Sequence, residues 1–205
     1  MTLEQILKLA PVVPVLVIED PAQAVPLARA LIAGGLHALE VTLRTPDALE
    51  CIRRISGEIE GAAVGAGTIL NRDQMDAAAN AGAVFGVSPG LIAGGGPGDA
   101  LPMLPGIATA TELMAGLAAG YERFKLFPAH IAGGVGALKA FAGPFAGIQF
   151  CPTGGVTLAN ASDYLSQPNC LCVGGSWVAP SDLVGAGNWE RIEALAREAS
   201  ALSAC

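Results

Sequence analysis

The sequence predicts an α/β chain folded as a (β/α)8 barrel, with a short helix ahead of the first strand. Three observations carry that prediction. Short runs rich in β-branched residues alternate with Ala/Leu-rich segments at helical spacing, the alternation recurs about eight times at intervals of roughly 20 residues, and the strand runs are almost continuously apolar. Continuous apolar strands joined by helices imply a parallel sheet covered on its outer face. Eight such units in 205 residues fit a closed barrel better than an open doubly wound sheet. The length suits one domain over residues 1–205.

Taken in order, MTLEQILKLA reads as a short amphipathic helix, because an acid comes early and no basic region precedes an apolar core, as a secretory leader would require. VVPVLVI (12–18), HALEVTL (37–43), AAVGAG (62–67) and AVFGVS (83–88) are the first four strands. AQAVPLARALIAG (22–34), PDALECIRRIS (46–56) and NRDQMDAAANAG (71–82) are the helices between them. After strand four the pattern weakens. The glycines and proline of GLIAGGGPGDA (90–100) break a helix, so this segment is expected to be a loop or shortened turn. It lacks the strand–turn–helix setting and the later acid of a dinucleotide site, so no such cofactor is expected. LPMLP (101–105), RFKLF (123–127), GIQFC (147–151) and CLCVG (170–174) complete the strands, with TATELMAGLAAG (109–120) and GGVGALKAFAG (133–143) as further helices.

Composition narrows the function. Hydrophobic residues are 52% of the chain and charged residues 14%, yet no apolar run reaches the roughly 18 residues of a spanning helix, so no membrane partner is expected. A formal charge of −7 without a basic patch argues against nucleic acid. The five cysteines, Cys51, Cys151, Cys170, Cys172 and Cys205, are odd in number and scattered, which fits small core residues in a reducing cytoplasm. Cys170 and Cys172 would share one strand face, but no second motif and only two histidines, His37 and His130, accompany them, so no metal site is expected.

In such a barrel, functional residues belong at the C-terminal ends of strands and in the loops that follow. That rule selects Glu40 with Arg44, Gly67 with Thr68, Ser88-Pro89-Gly90, Lys125 with Phe127, Thr153-Gly154-Gly155 and Gly174-Gly175-Ser176. Lys125 is one of three lysines and lies between Phe124 and Leu126, where strand alternation turns it toward the barrel interior. Removing an ammonium from water is costly, whereas a neutral amine is a nucleophile for carbonyl carbon. Glu40 is the lone acid among Leu39, Val41 and Leu43, and is read either as a charge partner of Lys125 or as an acid/base at an imine. Arg44 offers a fork for a carboxylate. The glycine pairs of CPTGGV and CVGGSW, after strands seven and eight, suit a phosphate held by backbone N–H groups, with Ser176 adding a hydroxyl.

Beyond these local readings, LEVTLRTPDAL, GAGTILN, SPGL, LPGIATATELM, RFKLFPA, AGPF, FCPTGGV and CVGGSW resemble, in order, the 2-keto-3-deoxy-6-phosphogluconate (KDPG) and 4-hydroxy-2-oxoglutarate (KHG) aldolases, over residues 11 to about 177. The resemblance implies a class I lyase without metal or cofactor. It implies Lys125 as the imine-forming lysine, Glu40 as the acid/base, Arg44 and Thr68 as holders of the pyruvyl carboxylate, and Gly154, Gly155, Gly174, Gly175 and Ser176 as phosphate loops. Thr153 and Phe127 would line the pocket. It further implies a phosphorylated 2-keto acid substrate, the Entner–Doudoroff route, a cytoplasmic location and a homotrimer. His130, beyond LFPA, stands where related sequences often carry an acid and is read as a solvated loop residue. Alternative readings are an aldolase for the C4 epimer, the phosphogalactonate analogue, a sugar-phosphate isomerase or epimerase using Glu40 as base, and a phosphate-binding barrel without catalysis.

Overall fold

The computed structural model describes residues 1–96 and 98–202. The expected N-terminal helix is present as α1, Leu3–Leu7, closed by a capping box between Thr2 and Gln5. Strand β1 (Val12–Leu16) leads through α2 (Pro21–Ala33) to β2 (Ala38–Thr42), then through α3 (Ala48–Glu58) to β3 (Ala63–Gly67). Helix α4 (Arg72–Asn80) precedes β4 (Phe85–Val87). No helix forms in the described part of residues 91–100, as the glycines and proline there lead one to expect; Pro97 lies outside the described residues.

The fifth expected strand is broken. Pro105 has no N–H to donate to a ladder, and it separates β5 (Met103–Leu104) from β6 (Gly106–Ile107). Next come α5 (Ala110–Ala118), with its own capping box at Thr109 and Glu112, and β7 (Arg123–Leu126), which carries Lys125. The chain continues through α6 (Gly134–Ala142), β8 (Gln149–Pro152), α7 (Ala161–Leu165), β9 (Val173–Gly175), α8 (Ser181–Gly185) and α9 (Trp189–Ser200).

Every paired strand is parallel, as the continuous apolar runs require. One sheet has the order β5-β4-β3-β2-β1-β9 and the other β6-β7-β8. Single parallel bridges, Phe150 to Cys170 and Thr153 to Gly174, join β8 to the segment of β9. Apolar residues divide between the two strand faces. Leu16, Leu39, Val41, Val64, Phe124, Leu126 and Phe150 pack with the helices. Val13, Ala38, Ala63, Phe85, Val87, Leu104, Cys151 and Cys172 form a second cluster on the other face, with Ile6 and Leu7 of α1 packed into it.

Cys170 and Cys172 do not share a face. Cys170 belongs to the helix-side cluster and Cys172 to the other, because regular strand geometry begins only at Val173. Burial pushes the Cys170 thiol well up, and a hydrogen bond with Cys151 followed by burial does the same to Cys172. Both stay protonated near neutral pH and are poor nucleophiles. Cys205 lies outside the described residues. Among the described residues no helix is long and apolar enough to cross a membrane.

Candidate active site

Glu40 and Lys125, 85 positions apart, meet on the face turned away from the helices. Lys125 Nζ lies 3.2 Å from Glu40 Oε1, with the two residues 4% and 3% exposed. Ladder register sets each of them. Glu40 pairs with Val15 of β1 and Gly65 of β3, and Lys125 pairs with Gly106 of β6 and Cys151 of β8. Small residues make the space. A methyl group at Gly67 would overlap the Glu40 carboxylate, and on the opposite, helix-packed face of β7 one at Gly116 of α5 would overlap the Phe124 ring. Buried charges persist only when paired, which this contact provides. The Phe127 ring centroid stands 5.1 Å from Lys125 Nζ, within range of a cation–π attraction.

Arg44 follows β2 in a turn that is fixed to β1. Thr42 Oγ1 donates to the Leu16 carbonyl and Thr45 Oγ1 to that of Ile18, each at 2.8 Å. The Arg44 Nε then donates to Thr68 Oγ1 at 3.1 Å. Thr68 has φ +60°, a left-handed conformation that is strained for a β-branched residue. The strain brings its hydroxyl to the guanidinium, next to Gly67.

The glycine turn after β8 is held from both sides. His130 N–H donates to the Gly154 carbonyl at 3.0 Å, and Asn160 Nδ2 donates to the Gly155 carbonyl at 3.0 Å. In a trans peptide the carbonyl and the following N–H point oppositely, so the N–H groups of Gly155 and Val156 turn away from those partners. Gly154 and Gly155 have φ of +96° and +76°, which glycine adopts without strain.

These parts enclose a cavity of about 240 Å3 lined by Val15, Val17, Arg44, Phe127, Thr153, Gly154, Gly155, Val156, Gly174 and Ser176. Seven candidates from the sequence thus share one wall set, with Lys125 and Glu40 beside it through Phe127 and Val15, and Thr68 through Arg44. Gly175 is placed differently, since a Cβ there would run into the Trp177 ring. His130 is exposed, in keeping with a solvated loop residue. Sequence reasoning did not single out Val15, Val17 and Val156. The inward parity of Val13, Val15 and Val17 in strand one was the available signal. Larger surface hollows, including one of about 660 Å3 between α2, α3 and α9, contain none of the candidates.

A parallel α/β chain with a buried lysine–carboxylate pair beside an arginine- and glycine-lined cavity has the make-up of an aldolase that works through an amine. Residues 3–195 match the family model described as KDPG and KHG aldolase, and the chain belongs to that family. The KHG/KDPG aldolase of Escherichia coli (strain K12) is 50% identical over 199 residues, covering 96% of this chain and 93% of that one. The crystal structure of KDPG aldolase from Legionella pneumophila, with pyruvate captured as a covalent carbinolamine intermediate, superposes with TM-score 0.91 at 41% identity, covering 97% and 98% of the two chains. That of the Zymomonas mobilis ZM4 enzyme with 3-phosphoglycerate gives TM-score 0.89 at 50% identity, covering 98% and 95%.

Proposed function

We propose that this chain is a class I aldolase that cleaves 2-dehydro-3-deoxy-6-phosphogluconate to pyruvate and glyceraldehyde 3-phosphate through an imine on Lys125. The observation that carries the reading is the buried 3.2 Å contact between Lys125 and Glu40 beside the cavity. Family membership and the carbinolamine in the Legionella relative support the same chemistry.

The steps follow from that contact. Glu40 takes a proton from the Lys125 ammonium, and the free amine adds to the C2 ketone. The carbinolamine nitrogen passes its proton to oxygen, and Glu40 returns its own proton as hydroxide leaves as water, giving an iminium. That cation accepts the electron pair of the C3–C4 bond, while Glu40 takes the proton of the C4 hydroxyl. Glyceraldehyde 3-phosphate departs. Glu40 then delivers its proton to C3 of the enamine, and water hydrolyses the iminium to pyruvate and the Lys125 ammonium, restoring the starting ion pair. Arg44, supported by Thr68, grips the pyruvyl carboxylate through its fork. Backbone N–H groups of the loops at Gly154-Gly155 and Gly174-Gly175, with the Ser176 hydroxyl, take the phosphate, and Thr153 and Phe127 shape the wall. No cofactor enters these steps.

A second substrate, 4-hydroxy-2-oxoglutarate, presents the same 2-keto and 4-hydroxy groups. The E. coli relative named KHG/KDPG aldolase supports it. We further propose that the two sheets are sides of one (β/α)8 barrel forming a single domain over residues 1–205. Pro105 alone intervenes between β5 and β6, and the bridges at Phe150 and Thr153 link β8 to β9, which supports closure. A cytoplasmic homotrimer completes the proposal.

Borohydride reduction with pyruvate tests the chemistry. Peptide mass analysis should find a reduced pyruvyl adduct on the peptide containing Lys125 and none on Lys125→Arg. An unmodified Lys125 peptide in active protein would remove the imine and favour an isomerase or epimerase using Glu40 as base.

A further inference from the structure

We propose that the face of the Phe127 ring holds the positive charge of the imine nitrogen, and so sets the balance between the neutral carbinolamine and the cationic iminium. The inference rests on the aldolase reading and on the imine placed there on Lys125. Lys125 Nζ stands over the ring, 5.1 Å from its centroid, and Phe127 lines the cavity. Contacts along the chain fix the ring there. Phe127 N–H donates to the Ile107 carbonyl of β6 at 3.0 Å. The next two N–H donors, those of Ala129 and His130, reach the Thr153 and Gly154 carbonyls at 2.8 and 3.0 Å. A methyl group at Gly154 would stand 3.4 Å from the ring carbon Cε2, so the glycine turn packs against the ring as well.

Glu40 is the other partner of the nitrogen, and its work draws it away. The carboxylate that pairs with Lys125 at 3.2 Å must also receive the proton of the C4 hydroxyl. Engaged by that hydroxyl it shares its charge with a second donor, and once protonated it no longer balances a cation. An aromatic face takes up no proton, so its attraction for a cation is the same at every step. Lys125 is 4% exposed, which leaves water little part in the balance, and the charge of Arg44 on the cavity wall repels a second cation. Of the states of the nitrogen, the ammonium and the iminium are charged, whereas the free amine, the carbinolamine and the enamine are neutral. The ring therefore favours the iminium over the carbinolamine that precedes it. A cation held over a ring face gains roughly 2- to 30-fold in such a balance, with the larger values where water is excluded.

Fluorine on the ring tests this, because it draws charge from the face and leaves the shape almost unchanged. The unmodified protein, Phe127→4-fluorophenylalanine and Phe127→3,4,5-trifluorophenylalanine are each saturated with pyruvate carrying carbon-13 at C2. NMR then separates the tetrahedral carbinolamine carbon from the trigonal iminium carbon. The iminium-to-carbinolamine ratio should fall about twofold with one fluorine and about fivefold or more with three. Phe127→Leu keeps an apolar contact without a ring face, and should fall as far as the trifluoro protein. A trifluoro ratio equal to that of the unmodified protein, or a carbinolamine signal that never appears in it, overturns the proposal. A fall confined to Phe127→Leu would assign the effect to shape and also overturn it. Absence of both bound signals from the unmodified protein would instead strike the aldolase reading itself.

Discussion

A hydrogen atom in place of a side chain at residue 67 gives the Glu40 carboxylate its room. Gly67→Ala must displace that carboxylate from Lys125 or push β3 from β2, so turnover should fall at least about tenfold while circular dichroism stays near that of the unmodified protein. Steady-state rates with KDPG check this. Glu40→Gln keeps the shape but removes both the proton acceptor and the counter-charge of Lys125, so it should lower the urea midpoint and slow turnover of the folded protein by about two orders of magnitude or more. A Gln variant at full rate would leave Glu40 only a structural partner. At this scale the sequence was most informative where chemistry clashed with surroundings. Lys125 and Glu40 stood out because a charge among apolar strand residues is costly. Val15 did not, because a valine facing a cavity and a valine facing a helix are the same letter in VVPVLVI. The left-handed backbone of Thr68 was equally hidden, since threonine gives no hint of φ +60°.

Helix α1 shows how a short element is made secure. Five residues cannot hold a helix alone, so the capping box is joined by two tertiary anchors. Ile6 and Leu7 enter the inner cluster, and Glu4 Oε2 accepts from Arg123 of β7 at 2.8 Å. Hydrogen bonds from Lys8 and then Arg123 hold the Glu4 carboxyl down at about 2, against an ordinary 4.5. A carboxyl depressed on folding adds stability that is present above its unfolded value and lost as pH falls through the folded one. The urea midpoint of Glu4→Gln should therefore trail the unmodified protein at pH 5, and the gap should narrow as pH drops from about 4.5 to 2. A gap constant over that range would remove Arg123 and Lys8 as the cause. Elements with strong periodicity, such as α2 and α5, were legible from spacing. The five-residue α7 and α8 span barely more than a turn and left no periodic trace. The division of strand five at Pro105 was written in LPMLP, although a proline between apolar residues also fits a strand end.

Over the whole molecule, the parallel α/β plan was readable because repetition is a global signal that survives errors in any one unit. The pairing of strands across the site was less readable, since the 85-residue separation of Glu40 from Lys125 carries no local mark. A homotrimer should give, by light scattering, about three times the 20.6 kDa chain mass at micromolar concentration, and a value near one chain mass would refute it. The buried pair of Lys125 and Glu40 has a last consequence, for descent rather than for turnover. Losing either partner alone strands a charge in the core, at a cost of about 3–5 kcal/mol, a large part of what a domain this size has to spare. Replacing both with apolar residues would leave a sound but inert scaffold. Drift toward an inactive descendant must therefore cross an unstable single mutant, so the stability of the fold guards the two residues even when selection on the reaction is relaxed.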